Sequence, residues 1–142
     1  MTIEILEGQS KRLYSLVAPL VMNRDVLRQN NYYPFWTSPT HIWFLALDKK
    51  NVKAFFPVEI TKKGEAKINN YYMAKADKRV FKSLIKEITA FCHRKYTLTA
   101  VALMQHKELF ESVGFQIAKE WKLYVKMEYQ KPKRAEKTGK KK

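Results

Sequence analysis

The sequence predicts one α/β domain in which short strands and amphipathic helices alternate along the chain. Two periodicities support this prediction: apolar residues recur at every second position in some stretches and at every third or fourth position in others. The composition agrees, because 46% of the 142 residues are hydrophobic and 13% are aromatic, which is typical of a globular core. A chain of this length suits one domain with one core.

The first half of the chain begins with a strand and two helices. Thr2 to Leu6 alternates as a first strand, and Ser10 can cap a helix whose apolar residues follow at helical spacing. Pro19 lies inside that helix, so we expect a kink or a break there, because proline removes a backbone donor and crowds the preceding turn. Asn23 can cap a second short helix that ends near Gln29.

Three strands with short turns between them come next, over Ile42–Leu47, Val52–Ile60 and Glu65–Met73. Turns this short allow antiparallel pairing, so the three strands are predicted to form a meander. Pro57 cannot donate to a ladder, which predicts a bulge or an unpaired edge at that point of the second strand.

The second half of the chain alternates helices and strands. Asp77 can cap a helix that runs to about His93, and Thr97–Leu103 is an apolar strand. A short helix over His106–Val113 ends at Gly114, the residue that most easily takes the positive φ of a helix end. Two closing strands follow. We expect the strands before and after the long helix to run parallel, joined by a right-handed crossover.

Positive charge is spread over the whole chain. The formal net charge is +15, and the last twelve residues, Lys131 to Lys142, contribute +6 of it, which leaves +9 on residues 1–130. The tail is too polar to pack and is predicted to be disordered, so residues 1–130 are the predicted single domain. Such a basic body and tail favour anionic partners: nucleic acid, an acidic protein or a phosphate-bearing cofactor.

The remaining composition limits the class of protein. The single cysteine, Cys92, excludes an intramolecular disulfide, and the three histidines are scattered without metal-ligand spacing. The N-terminus lacks the charged and apolar regions of a signal peptide, and no apolar run approaches the length of a membrane span. We therefore expect a cytoplasmic protein without a membrane partner or a bound metal.

The order of elements and the stretch Leu109–Phe115 resemble the GCN5-related N-acetyltransferase superfamily. Those enzymes have an apolar strand, a helix that ends in a Tyr-x-x-x-Gly-Phe pattern, and two closing strands, and their order of elements matches this chain over Thr2–Tyr129. The resemblance implies a mixed central sheet with helices on both faces, in the order β-α-α-β-β-β-α-β-α-β-β. It also implies acetyl-CoA or another acyl-CoA as the cofactor.

The pyrophosphate-binding loop of that superfamily is replaced in this chain. An Arg/Gln-x-x-Gly-x-Gly/Ala loop normally presents bare N–H groups at the start of the long helix. The aligned residues, Ala76–Phe81, contain no glycine. Lys78, Arg79 and Lys82 instead place cations there, and the resemblance implies that these side chains bind the pyrophosphate. A solvated basic face is the alternative interpretation.

The resemblance also implies main-chain contacts to the pantetheine arm. In the superfamily the fourth and fifth strands splay apart and expose N–H and C=O groups to the cofactor. Tyr72, Met73 and Ala74 would supply these groups here, whatever their side chains.

The catalytic residues are less clear from the sequence, because the superfamily's general-acid tyrosine aligns with Phe110, which has no proton to give. Polar side chains near the expected site are Gln105, Asn69 and Tyr71, together with the candidates that we select, Glu59, Asn70, Tyr72 and His106. Glu59 is the most plausible carboxylate base. A single histidine at a helix start is more often a capping or surface residue than a base.

Three functions are consistent with these observations. The first is a divergent acyl-CoA-dependent N-acyltransferase whose acceptor the sequence does not identify. The second is a non-catalytic protein of the same fold that binds nucleic acid or an acidic partner through its basic surface and tail. The third, which unites the two, is an enzyme that modifies nucleic acid itself.

Overall fold

The computed structural model describes residues 1–31, 34–74, 77–92 and 94–130, so the basic tail predicted at 131–142 lies outside the described residues. The described part forms eight strands and four helices, in the predicted order except that one predicted strand is divided into two. They are β1 (Thr2–Glu7), α1 (Lys11–Val21), α2 (Arg24–Gln29), β2 (His41–Asp48), β3 (Asn51–Ile60), β4 (Glu65–Ile68), β5 (Tyr72–Met73), α3 (Lys78–Cys92), β6 (Thr97–Leu103), α4 (Lys107–Glu111), β7 (Phe115–Glu120) and β8 (Tyr124–Tyr129).

The strands form one mixed sheet. Its order is β1-β2-β3-β4-β6-β8-β7, with β5 paired to β3 beyond the end of β4. Strands β4 and β6 pair in parallel and α3 connects them, which confirms the parallel pair expected from the sequence. The other pairs are antiparallel.

Helices lie on both faces of the sheet, as predicted. Helices α3 and α4 cover one face, where the larger core is centred on residues such as Phe56, Phe81 and Phe110. Helices α1 and α2 cover the other face, where Trp43 and Phe55 lead a smaller cluster. We call these the α3 face and the α1 face. Within the described residues, every helix is too short or too polar to cross a lipid bilayer.

The predicted N-caps of α1 and α2 are confirmed. The Ser10 side chain accepts from Leu13 N–H at 3.0 Å, and the Asn23 side chain caps α2 in the same way. The break expected at Pro19 is wrong, because α1 continues to Val21. Since the helix ends two residues after Pro19, the proline removes one hydrogen bond of the last turn and interrupts nothing longer.

The irregularity expected at Pro57 is confirmed, and it shapes the neighbouring strand. Lys53 O accepts a hydrogen bond from Ala74 N–H, just after β5. The main-chain groups of every second residue of β3 from Lys53, including Pro57, are therefore directed toward β4 and β5. Strand β4 pairs with β3 as far as Ile68, and β5 resumes the pairing at Tyr72. The single strand predicted over residues 65–73 is therefore two strands, interrupted opposite the missing N–H.

This interruption contains a β-bulge that reverses the side-chain order. The chain uses one more residue between Lys67 and Tyr72 than β3 uses between Phe55 and Glu59. Because strand side chains alternate, the extra residue sends Tyr71 into the core of the α3 face and Tyr72 into the cluster of the α1 face.

The helix after β6 is shorter than predicted. A 3-10 turn over Met104–His106 precedes α4, which ends at Glu111 rather than near Val113. Gly114 then takes a φ of 110°, as the sequence predicts for the residue after this helix. Its carbonyl accepts from Gln130 N–H at 2.9 Å, which ties the helix end to the end of β8.

Candidate active site

A cleft passes through the sheet where β5 and β6 diverge. The pairing of β4 with β6 ends at Ile68 and Ala100, after which β5 follows β3 and β6 follows β8. The cleft has a volume of about 160 Å³, and it is lined by Gln29, Tyr71, Met73, Ala74, Leu103, Gln105 and His106. Because Gln29 belongs to α2 and His106 precedes α4, residues from both faces of the sheet line the cleft.

Tyr71 is a buried residue in the lining of this cleft. Its hydroxyl accepts from Leu103 N–H at 2.9 Å and lies 2.7 Å from His106 Nδ1. Burial raises the pKa of Tyr71, and this effect outweighs the Leu103 N–H, which lowers it. Tyr71 therefore remains protonated at neutral pH. Its ring stacks on Phe56, with the ring centroids 5.0 Å apart, so the hydroxyl is held in one position.

His106 is the second titratable group of the cleft. It is partly buried, and burial lowers its pKa, so the imidazole is neutral at neutral pH. Its ring centroid lies 5.0 Å from that of Phe81 and 5.4 Å from that of Tyr71. The His106 side chain is thereby fixed by two aromatic rings as well as by the hydrogen bond to Tyr71.

The position of the superfamily's tyrosine is part of the core in this chain. Phe110 is fully buried, and its ring meets those of Phe81 and Phe115 edge to face, at 5.4 and 5.1 Å. The ring of Tyr71 lies 5.9 Å from that of Phe110. The phenol of Tyr71 therefore lies beside the position of the superfamily's tyrosine, but it comes from the bulge between β4 and β5 and not from α4.

Main-chain groups line the β5 side of the cleft. Ala74 N–H donates to Lys53 O at 2.7 Å. Because main-chain groups alternate in direction along an antiparallel strand, the N–H and C=O groups of Tyr72 and Ala74 point toward β3. Met73 then turns its N–H and C=O away from β3, toward the cleft. Of the three residues predicted to contact pantetheine, Met73 has the main-chain orientation that this contact needs.

A second groove lies next to the cleft, between the start of α3 and α4. It has a volume of about 210 Å³ and is lined by Lys78, Lys82, Gln105, Glu108, Leu109 and Ser112. Gln105 lines both the groove and the cleft, so the two are adjacent. The groove carries two cations and one carboxylate. Two of the three predicted phosphate ligands, Lys78 and Lys82, therefore lie in a groove next to the cleft that Tyr71 lines.

The start of α3 is capped by the chain itself. Asp77 Oδ1 accepts from Arg79 N–H at 3.0 Å and from Val80 N–H at 3.3 Å, which confirms the predicted cap. In the superfamily's glycine loop, such N–H groups are left for the pyrophosphate. The lysine side chains of the groove, Lys78 and Lys82, are anion donors that this cap leaves available. Arg79, the third predicted ligand, is exposed and lies outside the linings of the cleft and the groove.

The other three catalytic candidates lie away from the Tyr71 hydroxyl. Glu59 faces His41 across β3 and β2, on strand segments remote from β5. The ring of Tyr72 packs on Phe55 at 5.3 Å within the α1-face cluster. Asn70 is outside the lining of the cleft, and its Oδ1 accepts from Asn30 Nδ2 at 2.9 Å. These three candidates are therefore not joined into one site.

Tyr71 is the residue that sequence reasoning did not select. The sequence signal was present in two parts, Pro57 on one strand and the pair Asn69–Asn70 on the next. Their register places them opposite each other, and a proline opposite two bulge-forming residues indicates where the side-chain alternation reverses.

No protein-family model and no curated protein matches this sequence. Its structure is similar to that of ElaA from Escherichia coli, with a TM-score of 0.71 and 14% identity over 92% of this chain and 100% of that chain. An acyl-CoA N-acyltransferase from Pseudomonas aeruginosa gives a TM-score of 0.70 and 13% identity, with 92% and 100% covered. Tetrahymena GCN5 gives 0.69 and 16%, with 91% and 95% covered. At these identities, the similarity shows a shared fold.

Proposed function

We propose that this chain, which has the fold of the GCN5-related N-acetyltransferases, is an acyl-CoA-dependent N-acyltransferase. One observation carries the proposal: the lysines at the start of α3 line a groove that shares Gln105 with the cleft of the hydrogen-bonded tyrosine–histidine pair. A pyrophosphate, an extended arm and a reacting thioester need these three parts in this order.

This arrangement fits an acyl-CoA residue by residue. Lys78 and Lys82 supply charge-assisted hydrogen bonds for the pyrophosphate, in place of the N–H groups that Asp77 occupies. Met73 offers its main-chain groups to the amides of the pantetheine arm. Gln105 lies between these two parts and is exposed, so its side chain is free to contact the arm where the groove enters the cleft.

The chemistry assigned to the chain is a proton transfer at Tyr71. Acyl-CoA supplies a thioester whose carbonyl carbon an amine attacks, with a thiolate as the leaving group. For the Tyr71 O–H to point into the cleft, its oxygen accepts from Leu103 N–H and from His106 Nδ1–H. Those two donors then stabilise the phenolate that forms when Tyr71 protonates the thiolate. The attacking nitrogen loses one proton, and a proton returned to Tyr71 restores the starting state.

Reversing the charge of the groove tests the binding half of the proposal. We expect Lys78→Glu/Lys82→Glu to weaken acetyl-CoA binding about tenfold or more, because two attractive contacts become repulsive. Thermal stability should change little or rise, since acidic residues suit a helix start. The measurement is calorimetric titration with acetyl-CoA.

A matched control is Lys62→Glu/Lys63→Glu, which makes the same charge change on the exposed turn between β3 and β4. If both double variants bind acetyl-CoA equally well, the groove does not hold the pyrophosphate. Equal weakening by both would assign the effect to the net charge of the chain.

Two observations favour a second function, that of a non-catalytic binder of an anionic partner. Asp77 accepts from N–H groups at the start of α3, where the superfamily binds pyrophosphate. In addition, the buried Phe110 occupies the position of the superfamily's general acid. A protein of this kind would bind polyanions and fail to bind acetyl-CoA in the same titration.

A further inference from the structure

Helices α1 and α2 cover one half of the α1 face of the sheet, and the other half is exposed. The buried residues of α1 and α2 pack on β2, β3 and β5. Beyond β5 the same face continues over β4, β6, β8 and β7, where cross-strand neighbours form rows of side chains. One row joins Val101, Lys126 and Lys119, and Lys126 and Lys119 are exposed.

An aromatic pocket lies at the end of this exposed region. It has a volume of about 250 Å³ and is lined by Asn69, Asn70, Val101, Trp121 and Tyr124. We call it the Trp121 pocket. The main-chain N–H of Trp121 donates to Tyr124 O at 2.8 Å across a two-residue turn. The two residues are therefore paired next to the turn of the β7–β8 hairpin, and their rings lie on the same side of it. Trp121 is 44% exposed.

Residues of the Trp121 pocket are direct neighbours of residues that line the cleft. Asn70 directly precedes Tyr71, and Tyr124 pairs with Leu103 across β8 and β6. The Tyr124 hydroxyl accepts from Asn31 Nδ2 at 2.7 Å, which fixes the ring against the end of α2. A group bound in this pocket therefore lies beside the place where the proposed thioester would react, on the face opposite α3.

The chemistry of the pocket selects among acceptor classes. Among the described residues, its lining carries two rings and two amides but no carboxylate, which a polycationic amine would need for recognition. Rings of this kind stack on planar heterocycles, and amides hydrogen-bond to their edges. A nucleobase has both features.

The charges around the pocket fit a phosphate backbone. Lys119 Nζ lies 5.3 Å from the centre of the Trp121 ring, Lys126 is in the adjoining row, and Lys122 is in the turn. Carboxylates also lie on this face: Glu128 is in the next row, Glu65 is paired with Lys67 at 3.9 Å, and Glu59 neighbours Lys67 across β3 and β4. Cations are therefore concentrated next to the rings, as a single strand with one stacked base requires.

We propose that the Trp121 pocket binds a base of single-stranded nucleic acid, and that the acyl acceptor is an exocyclic amino group of that base. This inference rests on the proposed function. The amino nitrogen forms a bond to the acyl carbon, the carbon–sulfur bond breaks, and one hydrogen of the amino group is balanced by the proton that the thiol gains.

The test uses the full chain and fluorescence anisotropy with a labelled single-stranded RNA of about 12 nucleotides. We expect Trp121→Ala to weaken binding about tenfold, since stacking on one aromatic ring contributes roughly that much. Trp36→Ala is the matched control, because Trp36 is 55% exposed and packs beside α1, away from the pocket. All variants keep Lys131–Lys142, so the contribution of the tail cancels.

Two further readouts separate this inference from the proposed function. Trp121→Ala should bind acetyl-CoA as tightly as the wild type, and label from acetyl-CoA should appear in the oligonucleotide. If Trp121→Ala binds RNA as the wild type does, or if a duplex binds as well as the single strand, the inference is overturned while acetyl-CoA binding still stands. Label that transfers to a polyamine or an acidic protein instead of the oligonucleotide also overturns it.

Discussion

Tyr71→Phe is expected to slow thioester cleavage by about 10²-fold or more while leaving acetyl-CoA affinity within a few-fold. The substitution removes one oxygen atom, which is the atom that accepts from Leu103 N–H and would donate a proton into the cleft. Hydroxylamine is a suitable nucleophile for the assay, because it is small and needs no acceptor pocket. Release of the CoA thiol is then measured directly.

The neighbouring tyrosine provides the control for this experiment. Tyr72→Phe removes the same atom from a side chain that the bulge directs to the α1 face, where its ring packs on Phe55. We expect this variant to retain nearly all activity. Equal rates in Tyr71→Phe and the wild type would show that the cleft does not use this hydroxyl as an acid.

The same substitution also affects folding. It leaves the Leu103 N–H and the His106 ring without their buried partner, which costs about 1–3 kcal/mol of stability. The rates should therefore be compared well below the unfolding temperature of each variant. A loss of activity that exceeds the unfolded fraction is then attributable to the hydroxyl.

Phe81→Ala is expected to lower the free energy of unfolding by about 3–5 kcal/mol. Phe81 is fully buried on α3, and its ring contacts those of Phe56 and Phe110 at 5.4 Å and that of Tyr71 at 5.5 Å. Truncation leaves a cavity in the centre of this aromatic cluster. Because the cluster also holds His106, the change should loosen the tyrosine–histidine pair.

Urea unfolding measures this effect, with Phe91→Ala as the control. Phe91 is on the same helix and packs edge to face on Phe44, but it is partly exposed, so its truncation should cost clearly less. If the two variants lose the same stability, Phe81 is not the centre of the core on the α3 face.

The order of elements could be predicted because it depends on local signals. Ser10, Asn23 and Asp77 each have a side chain that accepts from the N–H groups of the turn that follows, and each begins a helix where expected. The period of the apolar residues separates strands from helices without knowledge of their partners. The parallel pairing of β4 with β6 then results from the connection through α3.

The catalytic candidates could not be predicted in the same way, because they depend on the register between strands. An expectation of regular alternation assigns Tyr72 and Asn70 to the site. One extra residue opposite Pro57 reverses that assignment and selects Tyr71 instead. Glu59 was selected for its carboxylate, but its pairing with His41 places it near the far end of β3. His106 is the candidate that lies in the cleft, because it belongs to the turn that ends β6.

The central claim is that acyl-CoA occupies the cleft between β5 and β6. Titration of the ¹⁵N-labelled chain with acetyl-CoA, followed by amide chemical shifts, tests it most directly. We expect the largest shifts at Met73, Leu103 and His106, with smaller shifts at Lys78 and Lys82, and we expect ADP to shift the lysines alone. Unchanged shifts at Met73 and Leu103 with millimolar acetyl-CoA would contradict the claim.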